Sequence, residues 1–150
     1  MMLIRLSAKQ EEGDELISVV PDTNILVSGS IVPYGNPAFI LDSWRAGKIQ
    51  LVTSLEILDE FRRVMAENFD VPKDDIDFFS AFIIWKGIVV EPKQKIDIIK
   101  EDPSDNKILE AAIEGKADYI VSGDEHLKNI GSFEGIKIVS PAEFVKILKE

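Results

Sequence analysis

Leu16-Ile17-Ser18-Val19-Val20-Pro21-Asp22-Thr23-Asn24 is the stretch whose reading decides the fold. Residues 16–21 form a short apolar run closed by proline, the pattern of a buried strand. Residues 23–30 read as a short helix. A carboxylate therefore stands between a buried strand and a helix. Parallel α/β sheets gather functional groups at that junction, beyond the carboxyl ends of their strands.

Outward from Asp22 the same grammar repeats. A turn at 34–37 leads to a helix over 38–46, stopped at Gly47. Residues 50–53 form a second strand, and Ser54 caps a helix running to about residue 68. Pro72 and the pair Asp74-Asp75 open another helix, ended by Gly87. Residues 88–90 are a third strand and 91–101 a loop. A helix follows over 103–115, then strands at 119–121 and 135–139, then a terminal helix from Pro141. Strands alternating with helices predict an α/β layer fold on a mainly parallel sheet. Residues 16–150 read as one domain and residues 1–15 as an N-terminal extension of unknown role.

Composition narrows the class. The chain has 150 residues, 45% hydrophobic and 29% charged, which suits an ordinary soluble globular domain. It has no cysteine, so disulfides, thiol catalysis and thiolate-bound zinc are excluded. No apolar run reaches membrane-span length, and the N-terminal stretch lacks a signal-peptide core; both suit a cytoplasmic protein. The formal net charge of −10 disfavours a broad nucleic-acid surface and leaves room for a local, cation-bridged one.

The acids separate by position. Asp22 ends a strand, though it also suits an N-cap. Asn24, two residues on, offers an amide to Asp22 or to a ligand. In the helix after Ser54, Ile57, Leu58, Phe61, Val64 and Met65 form one apolar stripe. Asp59 lies opposite it and Glu56 well off it, whereas Glu60 sits on its border and can reach a half-buried cleft. Asp105 falls in phase with Ile108, Leu109, Ala112 and Ile113, so its carboxylate aims at the core and needs a partner such as a metal. A capping role with Asp102 is the structural alternative. Asp124 follows the strand at 119–121 after Ser122-Gly123, with an N-cap as its plainer role. His126 is the lone histidine and receives no catalytic role. Four carboxylates in one cleft repel unless a cation neutralises them. Hard Mg²⁺ or Mn²⁺ suits such oxygens and activates water against a phosphodiester. Arg63 and Lys107, adjoining the acids, are candidate phosphate contacts. Arg62 is better explained as a surface charge.

These residues resemble the PIN-domain family of nucleases from Ile17 to Leu148. The resemblance is carried by Asp22-Thr23-Asn24-Ile25-Leu26-Val27-Ser28, by Leu51-Val52-Thr53-Ser54 leading to Glu60-Phe61-Arg62-Arg63-Val64, and by Asp102-Pro103-Ser104-Asp105-Asn106-Lys107-Ile108-Leu109-Glu110. It extends through Ala117-Asp118-Tyr119-Ile120-Val121-Ser122-Gly123-Asp124 and Ile138-Val139-Ser140-Pro141-Ala142-Glu143-Phe144. Within the family the chain looks closest to VapC-like toxin components of toxin–antitoxin pairs. The resemblance implies a three-layer α/β/α sandwich and an Mg²⁺- or Mn²⁺-dependent ribonuclease. Asp22, Glu60, Asp105 and Asp124 would be its catalytic and metal-binding acids, supported by Asn24 and Ser122. Asp102, Asp105 or Asn106 can occupy the third acidic place, and the stripe favours Asp105. The implied partners are single-stranded or structured RNA, an antitoxin protein and a second copy in a dimer. The rivals are a non-catalytic partner-binding module and an aspartate-based enzyme, either a haloacid-dehalogenase-type phosphatase or a receiver domain. The phosphatase would need an acid at Asn24, and the receiver a buried lysine, for which Lys137 is the candidate.

Overall fold

The computed structural model describes residues 16–100 and 102–150; the N-terminal extension assigned to 1–15 lies outside them. The chain runs β1 (Ile17–Pro21), α1 (Thr23–Ile31), α2 (Asn36–Arg45), β2 (Ile49–Ser54), α3 (Leu55–Phe69), α4 (Lys73–Lys86) and β3 (Ile88–Val90). A 3-10 turn (Pro103–Asp105) then leads into α5 (Asn106–Glu114), β4 (Tyr119–Val121), α6 (Glu125–Ile130), β5 (Ser132–Phe133), β6 (Ile136–Val139) and α7 (Pro141–Lys149). The sheet order is β3-β2-β1-β4-β6-β5. Every pairing is parallel except β5 with β6. Helices flank this sheet, giving the expected α/β layers. Ser18 to Pro21 in β1, and Leu51 to Ser54 in β2, are continuously buried rather than alternating. That is the signature of strands covered on both faces.

The topology fixes where a site can form. From β1 the chain moves to β2 and β3 on one side, then returns to lay β4 on the other. The strand order therefore reverses between β1 and β4, the switch point at which open α/β sheets leave a crevice. Asp118 sets the register there. Its Oδ2 accepts from the Ser18 N–H at 2.8 Å, and its own N–H donates to the Ser18 carbonyl at 2.9 Å. Pro21 thereby pairs with Val121, and the residues after both strands emerge side by side.

Three boundaries differ from expectation for local reasons. The helix expected over 103–115 is a 3-10 turn followed by α5, because Asp105 N–H bonds back to the Asp102 carbonyl at 3.0 Å and the side chain of Asn106 holds a neighbouring segment. The helix expected from residue 38 begins at Asn36, with Pro37 in its first turn. The strand expected over 135–139 is half of a hairpin. Glu134 and Gly135 both take positive φ, 49° and 85°, which is the chirality a tight hairpin turn needs.

Candidate functional site

Asp22 is fixed from three directions. Its N–H donates to the Val121 carbonyl at 3.0 Å, extending the β1–β4 pairing by one residue. Its Oδ1 accepts from the Ile25 N–H at 2.9 Å, which caps α1. Its Oδ2 accepts a short hydrogen bond from the Ser122 hydroxyl. The capping role and the strand-end role thus coexist in one side chain. Burial pushes the Asp22 carboxyl above its ordinary value against the pull of these hydrogen bonds, and the charges of Asp124 and Glu60 add to the rise.

Ser122 is fully buried and joins two acids. While its hydroxyl donates to Asp22, its oxygen accepts from the Asp124 N–H at 2.9 Å. Asp124 Oδ1 in turn accepts from the N–H groups of His126 and Leu127, at 2.8 and 3.1 Å, at the start of α6. One oxygen of Asp124 holds the helix, and the Asp124 carboxylate lies against that of Asp105. The N-cap weighed for Asp124 is seen here.

Asp105 completes the group. One carboxylate oxygen each from Asp102, Asp105 and Asp124 lies within 4.8 Å of the others. Asp105 Oδ2 is buried with no hydrogen-bond partner among the described residues. Burial first, then the charges of Asp124 and Asp102, push its carboxyl up to about 7. Asp102 makes no side-chain cap; its Oδ1 accepts from the Ser104 hydroxyl at 2.6 Å. The capping pair weighed for Asp102 and Asp105 is therefore not formed, and both carboxylates turn to the same place as Asp124. An all-oxygen, multiply anionic donor set with an orphaned buried oxygen fits a hard divalent cation.

Glu60 stands apart from that triplet but within reach of Asp22, whose carboxyl its charge raises. Glu60 Oε1 accepts from the Thr23 hydroxyl and pairs with Lys107 Nζ, both at 2.7 Å, while Arg63 stands 3.8 Å from Oε2. Lys107, anticipated as a phosphate contact, is engaged by Glu60. Arg63 is exposed beside it. Arg62 is a structural clamp: it donates to Asp77 at 2.6 Å and to the Ser80 hydroxyl at 3.0 Å, tying α3 to α4. Asn24 is exposed and does not serve Asp22, whose oxygens are taken by Ile25 and Ser122. His126 is exposed as well. Lys137 is exposed, which removes the buried lysine a receiver domain needs.

Asn106, weighed only as a third acidic position, and Glu110, given no role, hold the loop before the site. The Asn106 side chain accepts from the N–H groups of Ile98 and Ile99, at 3.1 and 2.9 Å, and donates to the carbonyls of Ile99 and Pro103, both at 3.0 Å. One turn on, Glu110 accepts from the Ile96 N–H at 2.9 Å. Both are buried polar residues. Their spacing of four, which sets both on one side of α5, was the signal available.

A family model described as PIN domain matches residues 18–126. The chain is also similar to uncharacterized protein MJ1680 of Methanocaldococcus jannaschii, 29% identical over 147 residues, covering 87% of this chain and 90% of that protein. PIN domains are generally nucleases and typically use divalent metals. The matched span contains β1 with Asp22, the helix that carries Glu60, the Asp102–Asp105 turn and Asp124. The chain belongs to the PIN-domain family.

Proposed function

We propose that the protein is a metal-dependent endoribonuclease that hydrolyses phosphodiester bonds in single-stranded or structured RNA. The observation that carries this reading is the orphaned, buried Oδ2 of Asp105, set in a triplet of carboxylates beside Asp22. Asp105, Asp124 and Asp22 would hold Mg²⁺ or Mn²⁺, with Asp102 as a further ligand. When bound, the ion lowers the pKa of water and stabilises charge on the transferring oxygens.

The chain's own residues do the rest. Ser122 donates to the Asp22 carboxylate and accepts from the Asp124 backbone N–H, so the Asp22 side chain and the Asp124 main chain are held together. The capping bonds at α1 and α6 fix one oxygen of each acid, and Ser122 holds the second oxygen of Asp22. Asn106 and Glu110 hold the segment that delivers Asp102. The charge of −10 leaves little general attraction for a polyanion, so recognition is local. Unpaired RNA, with its splayed bases, enters such a cleft more readily than a stiff duplex.

The toxin role, with an antitoxin covering the cleft, rests on the VapC-like resemblance, as does a homodimer working in the cytoplasm. The test is cleavage of labelled single-stranded RNA and duplex DNA by antitoxin-free protein with Mn²⁺. RNA is cut and duplex DNA is largely spared. Preferred cutting of duplex DNA would leave the metal chemistry and overturn the substrate class.

A further inference from the structure

Lys107 is the most withdrawn of the described lysines that form ion pairs. Its side chain is 14% exposed and that of Glu60 23%, whereas Lys128 is 34% exposed and Lys73, Lys95 and Lys100 remain 70–83% exposed in their pairs. An ammonium is drawn out of water only where a carboxylate and further hydrogen bonds compensate it. Here the compensation is specific: Glu60 Oε1 takes both Lys107 Nζ and the Thr23 hydroxyl at 2.7 Å. On the other side of the cleft the situation is reversed. No ion pair among the described residues involves Asp22, Asp102, Asp105 or Asp124.

One end of the cleft is therefore neutralised from within and the other is left for a cation from solution. Sites that use two metal ions hold them about 3.5–4 Å apart, each needing its own carboxylate. Glu60 is the acid that would serve a second ion, and its inner oxygen already faces an ammonium. A divalent ion arriving there would meet a like charge that cannot easily leave, because Lys107 is nearly buried.

We propose that the Lys107 ammonium stands on Glu60 in the place of a second metal ion, so the chain binds one divalent ion and Glu60 is a positioning residue for Lys107 rather than a metal ligand. Lys107 then supplies a fixed point charge for substrate phosphate at the edge of the acid triplet. This rests on the metal-dependent reading above.

The test is Mn²⁺ stoichiometry by equilibrium dialysis with free-ion detection by electron paramagnetic resonance, on substrate-free full-length protein. Wild type and Lys107→Arg bind one ion per chain. Lys107→Met frees Glu60 and binds two, and Lys107→Met/Glu60→Gln returns to one. Glu60→Gln alone keeps one ion, a measurement that decides the matter even if Lys107→Met fails to fold. Two ions in the wild type, or a lost ion in Glu60→Gln, overturns the proposal while leaving the nuclease reading intact. No Mn²⁺ bound by the wild type overturns both.

Discussion

The Asp105 carboxyl, raised from 3.8 to about 7 by burial and then by Asp124 and Asp102, makes the metal-free protein sensitive to pH in a definite direction. In that window the folded chain keeps a proton that the unfolded chain has released. The native state thus binds more protons, and stability falls as pH rises from about 4 to about 7. The upward shift of Asp22 acts in the same sense. Melting curves in EDTA across this range are expected to show a falling Tm, and Asp105→Asn to flatten the fall. Millimolar Mn²⁺, binding only the native site, is expected to raise Tm most at the upper end. A metal-free Tm that climbs from pH 4 to 7 would contradict the description of the cleft. Ser122→Ala removes the donor to Asp22 and the acceptor for Asp124 N–H, and is expected to cost about 1–3 kcal/mol in denaturant unfolding. At this scale sequence logic leads to Asp22 and Asp124 through strand ends and to Asp105 through its place in an apolar stripe. It does not reach the engagement of Lys107 by Glu60, because two long side chains from α3 and α5 meet only after both helices pack.

Helix α5 does two jobs on two faces. Its apolar side packs in the core through Ile108, Leu109 and Ala112, while Asn106 and Glu110 stitch the irregular segment 96–99 to it. Asn106→Ala leaves the Ile98 and Ile99 N–H groups and the Ile99 carbonyl without that partner. The expected cost is about 1–3 kcal/mol, with faster hydrogen exchange at Ile98 and Ile99. Unchanged exchange there would show that the clamp carries no weight. A second test lies where α1 crosses α2. A Cβ at Gly29 would stand 2.6 Å from Leu41 Cδ1 and 2.8 Å from the Pro37 carbonyl oxygen. Backbone cannot yield as a flexible side chain does, so Gly29→Ala is expected to destabilise by about 1–3 kcal/mol. The elements themselves are largely legible, since apolar runs, caps and Gly or Pro stops mark strands and helices. The 3-10 turn and β5 are not. The first is set by a local backbone bond at Asp105 and by Asn106 side-chain bonds to residues 98–99, and the second is two residues long and carries no period.

Across the whole molecule, acidity and an aromatic face are the features a partner would meet. On α4, Phe78 and Trp85 are 68% and 66% exposed, while Phe82 packs edge-on against Trp44 at 5.4 Å. The helix therefore serves the interior with one side and offers aromatic surface with the other, which composition alone left undivided. The dimer expected from the resemblance would be seen by light scattering at micromolar protein, and Trp85→Ser would weaken it; monomer alone would remove it. Among the described residues no helix is long and apolar enough to cross a membrane. The identity of a partner is not legible in the sequence, because it leaves no mark in this chain's own periodicities. The claim on which everything else stands is that the acid cleft is a metal-dependent nuclease site. Its most direct measurement is cleavage of single-stranded RNA by wild type, Asp22→Asn and Asp124→Asn, each with Mn²⁺ and with EDTA. The account predicts cleavage by the wild type with Mn²⁺, its loss in EDTA, and a drop of at least about 100-fold in both variants. Equal cleavage by all three proteins, or cleavage undiminished by EDTA, would contradict it.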